Sequence, residues 1–237
     1  MTLPSWRRWL PLVALLALGG AICASGLHSY LNLATLQAQR VMLQRFVAEH
    51  QIAAPAIFFL VYAVVTALSL PGAIFVTLAG GFLFGTWFGA LWSVLGATTG
   101  AIAVFSIART ACGTSLRHRA APWLRRMESG FRENAFSYLL VLRLIPLFPF
   151  WLVNLVPAFL AVPLSTFAAA SFMGIIPGAL VYASAGSGLG AVLERGEEPD
   201  LGLILEPQIL GPLLGLAVLA MLPVLFRHWK RRASMSD

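Results

Sequence analysis

Apolar positions in this chain come in long unbroken blocks. From Ala53 to Ala108 there are 56 residues without one Asp, Glu, Lys or Arg, and from Ala135 to Leu193 there are 59 with a single charge, Arg143. A spanning helix needs about 20 apolar residues, so each block predicts more than one membrane element. Shorter apolar stretches, Leu10–Leu27 and Ile209–Phe226, have the length of one span each. Two further stretches are amphipathic. Leu36, Leu43, Phe46 and Val47 share one helical face before the first block. Trp123, Leu124, Met127 and Phe131 share another, in a helix beginning at Pro122, a suitable first helical residue. Arg125, Arg126 and Arg132 would there face anionic head groups. An ordinary solvated loop is the alternative for both. The fold class expected is all-α, a polytopic membrane protein.

Composition agrees: 59% hydrophobic and 11% charged residues lie far from the mix of a soluble domain. The net charge of +7 changes the picture only in its placement. Basic residues sit beside apolar segments, as topology signals do, and no aromatic-basic recognition motif accompanies them. Nucleic acid is therefore not an expected partner. Cys23 and Cys112 lie far apart and read as packing residues rather than a disulfide framework. The four histidines show no ligand spacing, so neither a metal site nor a cofactor is expected. Arg7 and Arg8 before the apolar stretch imitate a cleaved secretory signal. The stretch runs on to Leu27 without a clean small-x-small site, so an uncleaved first helix is expected.

The arginines fix the expected topology. Six of them, Arg109, Arg117, Arg119, Arg125, Arg126 and Arg132, fall within 109–134. The tail carries Arg227, Lys230, Arg231 and Arg232, whereas 194–208 is acidic. By the positive-inside rule the N-terminus, the 109–134 loop and the C-terminus are cytoplasmic, and 194–208 lies outside. Two plain spans within 53–108 would put the six arginines outside. One crossing plus one dip puts them inside. The same parity holds for 135–193. The reading is a re-entrant hairpin at about 53–85, broken near Pro71-Gly72, and a crossing at 86–108. A second hairpin at about 136–163, broken around Pro146 to Pro149, precedes a crossing at 165–190. With the terminal segments this makes four spanning helices and two opposed re-entrant hairpins in an inner membrane. Six plain spans with a weak charge bias are the alternative.

A shift of 78 positions superposes Pro71 on Pro149, Ser93 on Ser171, Gly96 on Gly174 and Gly100 on Gly178. One unit begins outside and the other inside, so they would form an inverted repeat, a transporter architecture. Three regions follow: 1–52, the first helix and an interfacial segment; 53–190, the membrane core; and 191–237, the acidic loop, last helix and basic tail.

Arg143 is the strongest single candidate for function. It lies about 12 Å along a helix from the basic loop, where a charge costs at least about 2.5–3.5 kcal/mol to insert. It should face a polar cavity, a partner or a bound anion; otherwise it snorkels or binds carbonyls freed at the break. The break itself, with Pro146 and Pro149, frees carbonyls that are tolerated only inside protein or beside water. Asn154 is a lone amide that either bonds a substrate or caps the returning half-helix. In the first hairpin Pro71, Gly72, Gly80, Gly81 and Gly85 are the matching break signals. Gly85, Gly89, Gly96 and Gly100 also suit close helix packing.

Gly80-Gly-Phe-Leu-Phe-Gly85, Arg143-Leu-Ile-Pro146 with Pro149 and Asn154, and Phe167 followed by Gly174-Ile-Ile-Pro-Gly178 resemble the VTT-domain proteins. These are also called SNARE-associated Golgi proteins, within the DedA superfamily. The resemblance covers roughly residues 30–190. It implies opposed re-entrant hairpins and a role in membrane homeostasis, with relatives that move lipids or polyprenyl phosphates between leaflets. Many DedA relatives carry acidic residues in or near the first hairpin, linked to proton coupling; here 53–108 has none.

Two functions follow. The first is a translocator of a lipid or lipid-phosphate between leaflets, with Arg143 attracting the phosphate. The second is a non-transporting scaffold that recruits a partner or anionic lipid through its basic loop. An enzyme is not expected, because no acid, base and nucleophile converge. The expected partners are membrane lipids, anionic or phosphate-bearing, and a homo-oligomer stays open.

Overall fold

The computed structural model describes residues 5–25, 38–70, 72–119, 135–144, 150–160 and 162–194, together with Pro207, Gly211 and Gly215. Pro71, Pro146, Pro149, the 120–134 loop, the acidic loop beyond 194 and most of the last span lie outside the described residues. Among the described residues all regular structure is helical. The helices are α1 (Ser5–Ala24), α2 (Arg40–Glu49), α3 (Ala53–Ala67), α4 (Ala73–Arg119), α5 (Ala135–Leu144), α6 (Phe150–Phe159) and α7 (Leu164–Glu194). Two stretches, Ala73–Thr110 and Leu164–Gly190, are long and apolar enough to cross a bilayer. The apolar part of α1, Leu10–Ile22, is shorter than a span, and the remainder of its expected range runs beyond residue 25. Between α2 and α3 the chain bends by 118°, with Ile52 exposed at the bend and Val41 and Met42 exposed in the first turn of α2.

Although helical on both sides, α4 is not one rod. Residues 80 and 93 of a straight helix stand about 20 Å apart. Here a Cβ built on Gly80 would lie 3.2 Å from Ser93 Oγ, and one on Gly89 would lie 2.6 Å from the Gly80 carbonyl carbon. The chain therefore doubles back at Gly85, whose φ of 76° is a left-handed value that glycine adopts without strain. The first arm covers 73–84 and the second 86–119. The break before the first arm, at 68–72, contains Ser69 at φ 53° and Gly72 at φ 125°. Tyr62 straddles that break, its Oη 2.8 Å from Thr77 Oγ1 and 3.2 Å from the Ala73 carbonyl.

Because α3 is apolar all round, sequence periodicity does not say which face it buries. Phe58, Tyr62 and Val65 turn inward, while Ile57, Leu60, Val61 and Val64 face out. The glycines of the second arm of α4 decide this. Cβ atoms built on Gly96 and Gly100 would meet Tyr62 Cβ (2.8 Å) and Thr66 Cβ (2.6 Å). Only bare backbone lets α3 lie this close. The same offset of 78 reappears in packing: Gly174 faces Leu140 as Gly96 faces Tyr62, and those partners are also 78 apart.

The second arm of α4 runs antiparallel to α7. Phe105 stacks on Phe167 with centroids 4.3 Å apart, and Ala90 and Val94 cluster with Ala179 and Ala183. At one end of this pair the Gly85 reversal lies near the close of α7, where Phe82 approaches Gly190. At the other end Arg109 Nη1 donates to the Val162 carbonyl (3.3 Å), in the turn between α6 and α7. The two reversals thus sit at opposite ends of the pair. Near the first, Gly81 lies against the Ala183 carbonyl and Gly186 against that of Leu78.

This corrects the expected role of Gly80 and Gly81. They are not part of a break but lie inside a helical arm, where their missing side chains admit Ser93 and the α7 backbone. Gly81→Val should therefore cost about 1–3 kcal/mol by forcing α7 away. Gly190→Ala, whose new methyl would make ordinary contact at 3.4 Å, should cost little. Thermal unfolding of the two detergent-purified variants measures the difference.

Candidate functional site

Arg143 stands next to the last residue of α5, and its side chain reaches across to two other helices. Its Nη2 donates to Asn154 Oδ1 on α6 (2.8 Å) and to Ser171 Oγ on α7 (2.9 Å). The guanidinium carbon lies 5.5 Å from the centroid of Phe167, within range of a cation–π attraction. Phe167 in turn stacks on Phe105 of α4. Three helices therefore meet at one cation, and α4 backs the ring that faces it.

The local sequence of α7 explains the fit. Phe167, Ser171 and Gly174 follow at i, i+4 and i+7, which is one face of a helix. The aromatic supplies a ring, the serine an acceptor, and the glycine room for the arginine stem. A Cβ built on Gly174 would lie 2.6 Å from Arg143 Cβ and 3.1 Å from its Cγ. Phe167 and Ser171 are themselves buried, at 0% and 1% exposure, whereas Arg143 is half-buried.

Asn154 is fully buried and sits in the fifth position of α6. The capping role is therefore excluded, since an N-cap precedes the first helical turn. Arginine can only donate hydrogen bonds, so the atom facing it must be the amide oxygen. The amide nitrogen then points the other way, buried and without a hydrogen-bond partner among the described residues.

Of the residues expected to carry function, the structure brings Arg143 and Asn154 together. Pro146 and Pro149 lie outside the described residues, as does Pro71. Gly72 and Gly85 mark the break and the reversal of the first hairpin, apart from the cation. Ser171, Gly174 and the ring of Phe167 were not foreseen as parts of a site. Their i, i+4, i+7 spacing was a usable signal. Among the described residues no cluster of His, Cys, Asp and Glu could hold a metal ion.

A membrane core of short and long helices, with one arginine cross-bonded between them, defines a class of multi-pass membrane protein. The VTT domain profile matches residues 70–188, half of the chain, and the chain belongs to the VTT-domain family. Among curated proteins it is similar to Transmembrane protein 41B of Gallus gallus, 28% identical over 174 residues, covering 72% of this chain and 62% of the relative. The human protein of that name is 29% identical over 174 residues, covering 72% of this chain and 57% of the relative. The matched region thus spans about three fifths of the relatives' length. No solved structure matches the chain.

Proposed function

We propose that this protein moves a lipid or lipid-phosphate between membrane leaflets, with Arg143 as the phosphate ligand. The observation that carries the reading is the placement of Arg143, a cation held between α5, α6 and α7 by the neutral side chains of Asn154 and Ser171. Neutral acceptors orient the guanidinium, and its planar fork matches the oxygens of a phosphate. Membership of the VTT-domain family supports a role in membrane lipid homeostasis. The protein acts as a carrier of lipid, not as an enzyme.

The membrane arrangement in this reading has four crossings and two opposed re-entrant hairpins in a cell inner membrane, with both termini cytoplasmic. The two reversals at opposite ends of the antiparallel α4–α7 pair support it, as does the 78-residue offset shared by sequence and packing. α3 and the first arm of α4 then form one hairpin, and α5 and α6 the other. Each arm is shorter than the roughly 20 residues a crossing needs.

Two measurements test this. Purified protein in liposomes should accelerate leaflet exchange of labelled phosphatidylglycerol over empty vesicles. Absence of exchange, with vesicle binding lost on replacing Arg125, Arg126 and Arg132, would instead establish the scaffold. Topology has a separate check. Ser115→Cys and Asp200→Cys, in a background without Cys23 and Cys112, should label from opposite faces. Labelling from one face would overturn the two-hairpin arrangement.

A further inference from the structure

We propose that Asn154 is a second ligand of the lipid phosphate, its carbonyl oxygen orienting Arg143 while its NH2 donates to a phosphate oxygen. The inference rests on the translocator reading and sharpens the chemistry of its site. Asn154 is completely buried, with Oδ1 fixed 2.8 Å from Arg143 Nη2. Because arginine only donates, this contact settles which end of the carboxamide faces it. The other end presents two N–H donors, and Nδ2 meets no acceptor among the described residues. A buried donor left without an acceptor costs about 1–3 kcal/mol. That cost is recovered when a ligand brings an acceptor to it.

The remaining groups of the site have the same polarity. Ser171 Oγ accepts from Arg143 and keeps its own hydroxyl hydrogen to donate. Guanidinium, carboxamide NH2 and hydroxyl together offer donors, and a group that only accepts satisfies them all. An ionised phosphate is such a group, whereas an ammonium can only donate. The positive charge of Arg143 and the amide donors favour the phosphate end of a lipid over a head-group ammonium, which carries the same charge as the guanidinium. Arg143 Nε and Nη1 are buried, as is Asn154 Nδ2, so an anion that binds must leave water to reach either residue.

Asn154→Asp separates the two roles of the residue. The aspartate keeps an oxygen for Arg143, and that contact becomes charge-assisted, so the arginine stays in place. It replaces the donor NH2 with a second anionic oxygen, which repels phosphate. Exchange of labelled phosphatidylglycerol in liposomes by Asn154→Asp is expected to fall at least about tenfold below wild type, with thermal stability equal or higher. Glycerol phosphate, used as a soluble probe, should raise the melting temperature of wild type and leave that of the variant unchanged. If Asn154 only positions Arg143, Asn154→Asp will exchange lipid and respond to glycerol phosphate as wild type does, and the proposal is overturned. Should Asn154→Asp prove unstable, Asn154→Gln decides: it keeps both amide functions, and a retained glycerol phosphate response supports the donor role while its loss opposes it. If wild type itself moves no lipid, the translocator reading fails, while the glycerol phosphate response still reports separately on Asn154.

Discussion

Arg143→Ala protein in liposomes is expected to lose at least about thirtyfold of the leaflet exchange seen with wild type. Truncating one partner of a buried, hydrogen-bonded charge pair costs about 2–5 kcal/mol, and its bound form is the state that exchange requires. Stability should respond differently. The variant forfeits bonds to Asn154 and Ser171 but also sheds the cost of a charge at depth, about 2.5–3.5 kcal/mol. These oppose one another, so the melting temperature should shift by only a few degrees. Arg143→Lys should fall between wild type and alanine, because an ammonium keeps the charge without the planar fork. If yield and melting temperature fall in parallel with exchange, Arg143 is a structural pin. An alanine variant that is stable and fully active would remove the centre of the translocator reading.

The second large effect is expected at a residue with no polar atom in its side chain. In Gly174→Ala the new methyl would arise 2.6 Å from Arg143 Cβ, closer than side chains pack, so the arginine stem must move. Its distal end must then leave Asn154, Ser171 or both. Exchange should drop about tenfold, the equivalent of one charge-assisted hydrogen bond of about 1.5 kcal/mol. Gly178→Ala is the matched control one turn further along α7. A Cβ built there meets nothing within 4 Å, and exchange should be unchanged. Equal effects of the two substitutions would show that the helix, not the arginine, is being perturbed.

Much of this architecture was legible in the sequence, for identifiable reasons. Charge parity among the arginines led to the expectation of a dip before each crossing, and within the range of the first the backbone turns at Ser69 and Gly72 and reverses at Gly85. Arg143 was legible because a lone charge in a stretch of 59 residues is costly and calls for partners. What escaped was pairing across distance. Ser171 lies 28 residues from Arg143 in a helix that is apolar on every side, so no amphipathic stripe marks the face that turns inward. The sequence offset of 78 had already aligned Ser171 and Gly174 with Ser93 and Gly96, yet it says nothing of what either pair touches. Gly80 and Gly81 were misread because a small residue serves equally to break a helix and to let another backbone approach. Only the contacts with Ser93 and Ala183 separate the two uses.

The reversal at Gly85 bears on how the protein reaches the membrane. Straightened, the 38 residues of Ala73–Thr110 would make a rod about 57 Å long, nearly twice the hydrocarbon thickness of about 30 Å. No tilt within the usual range accommodates that length. Folding the arms together after the rod had entered would drag a turn through lipid. A pair of short helices already bent at Gly85 avoids both costs. The first arm has α3 to fold against before Gly85 follows, through Tyr62 with Thr77 and Phe58 with Gly80. Gly85 thereby makes two short arms of a stretch too long to cross once.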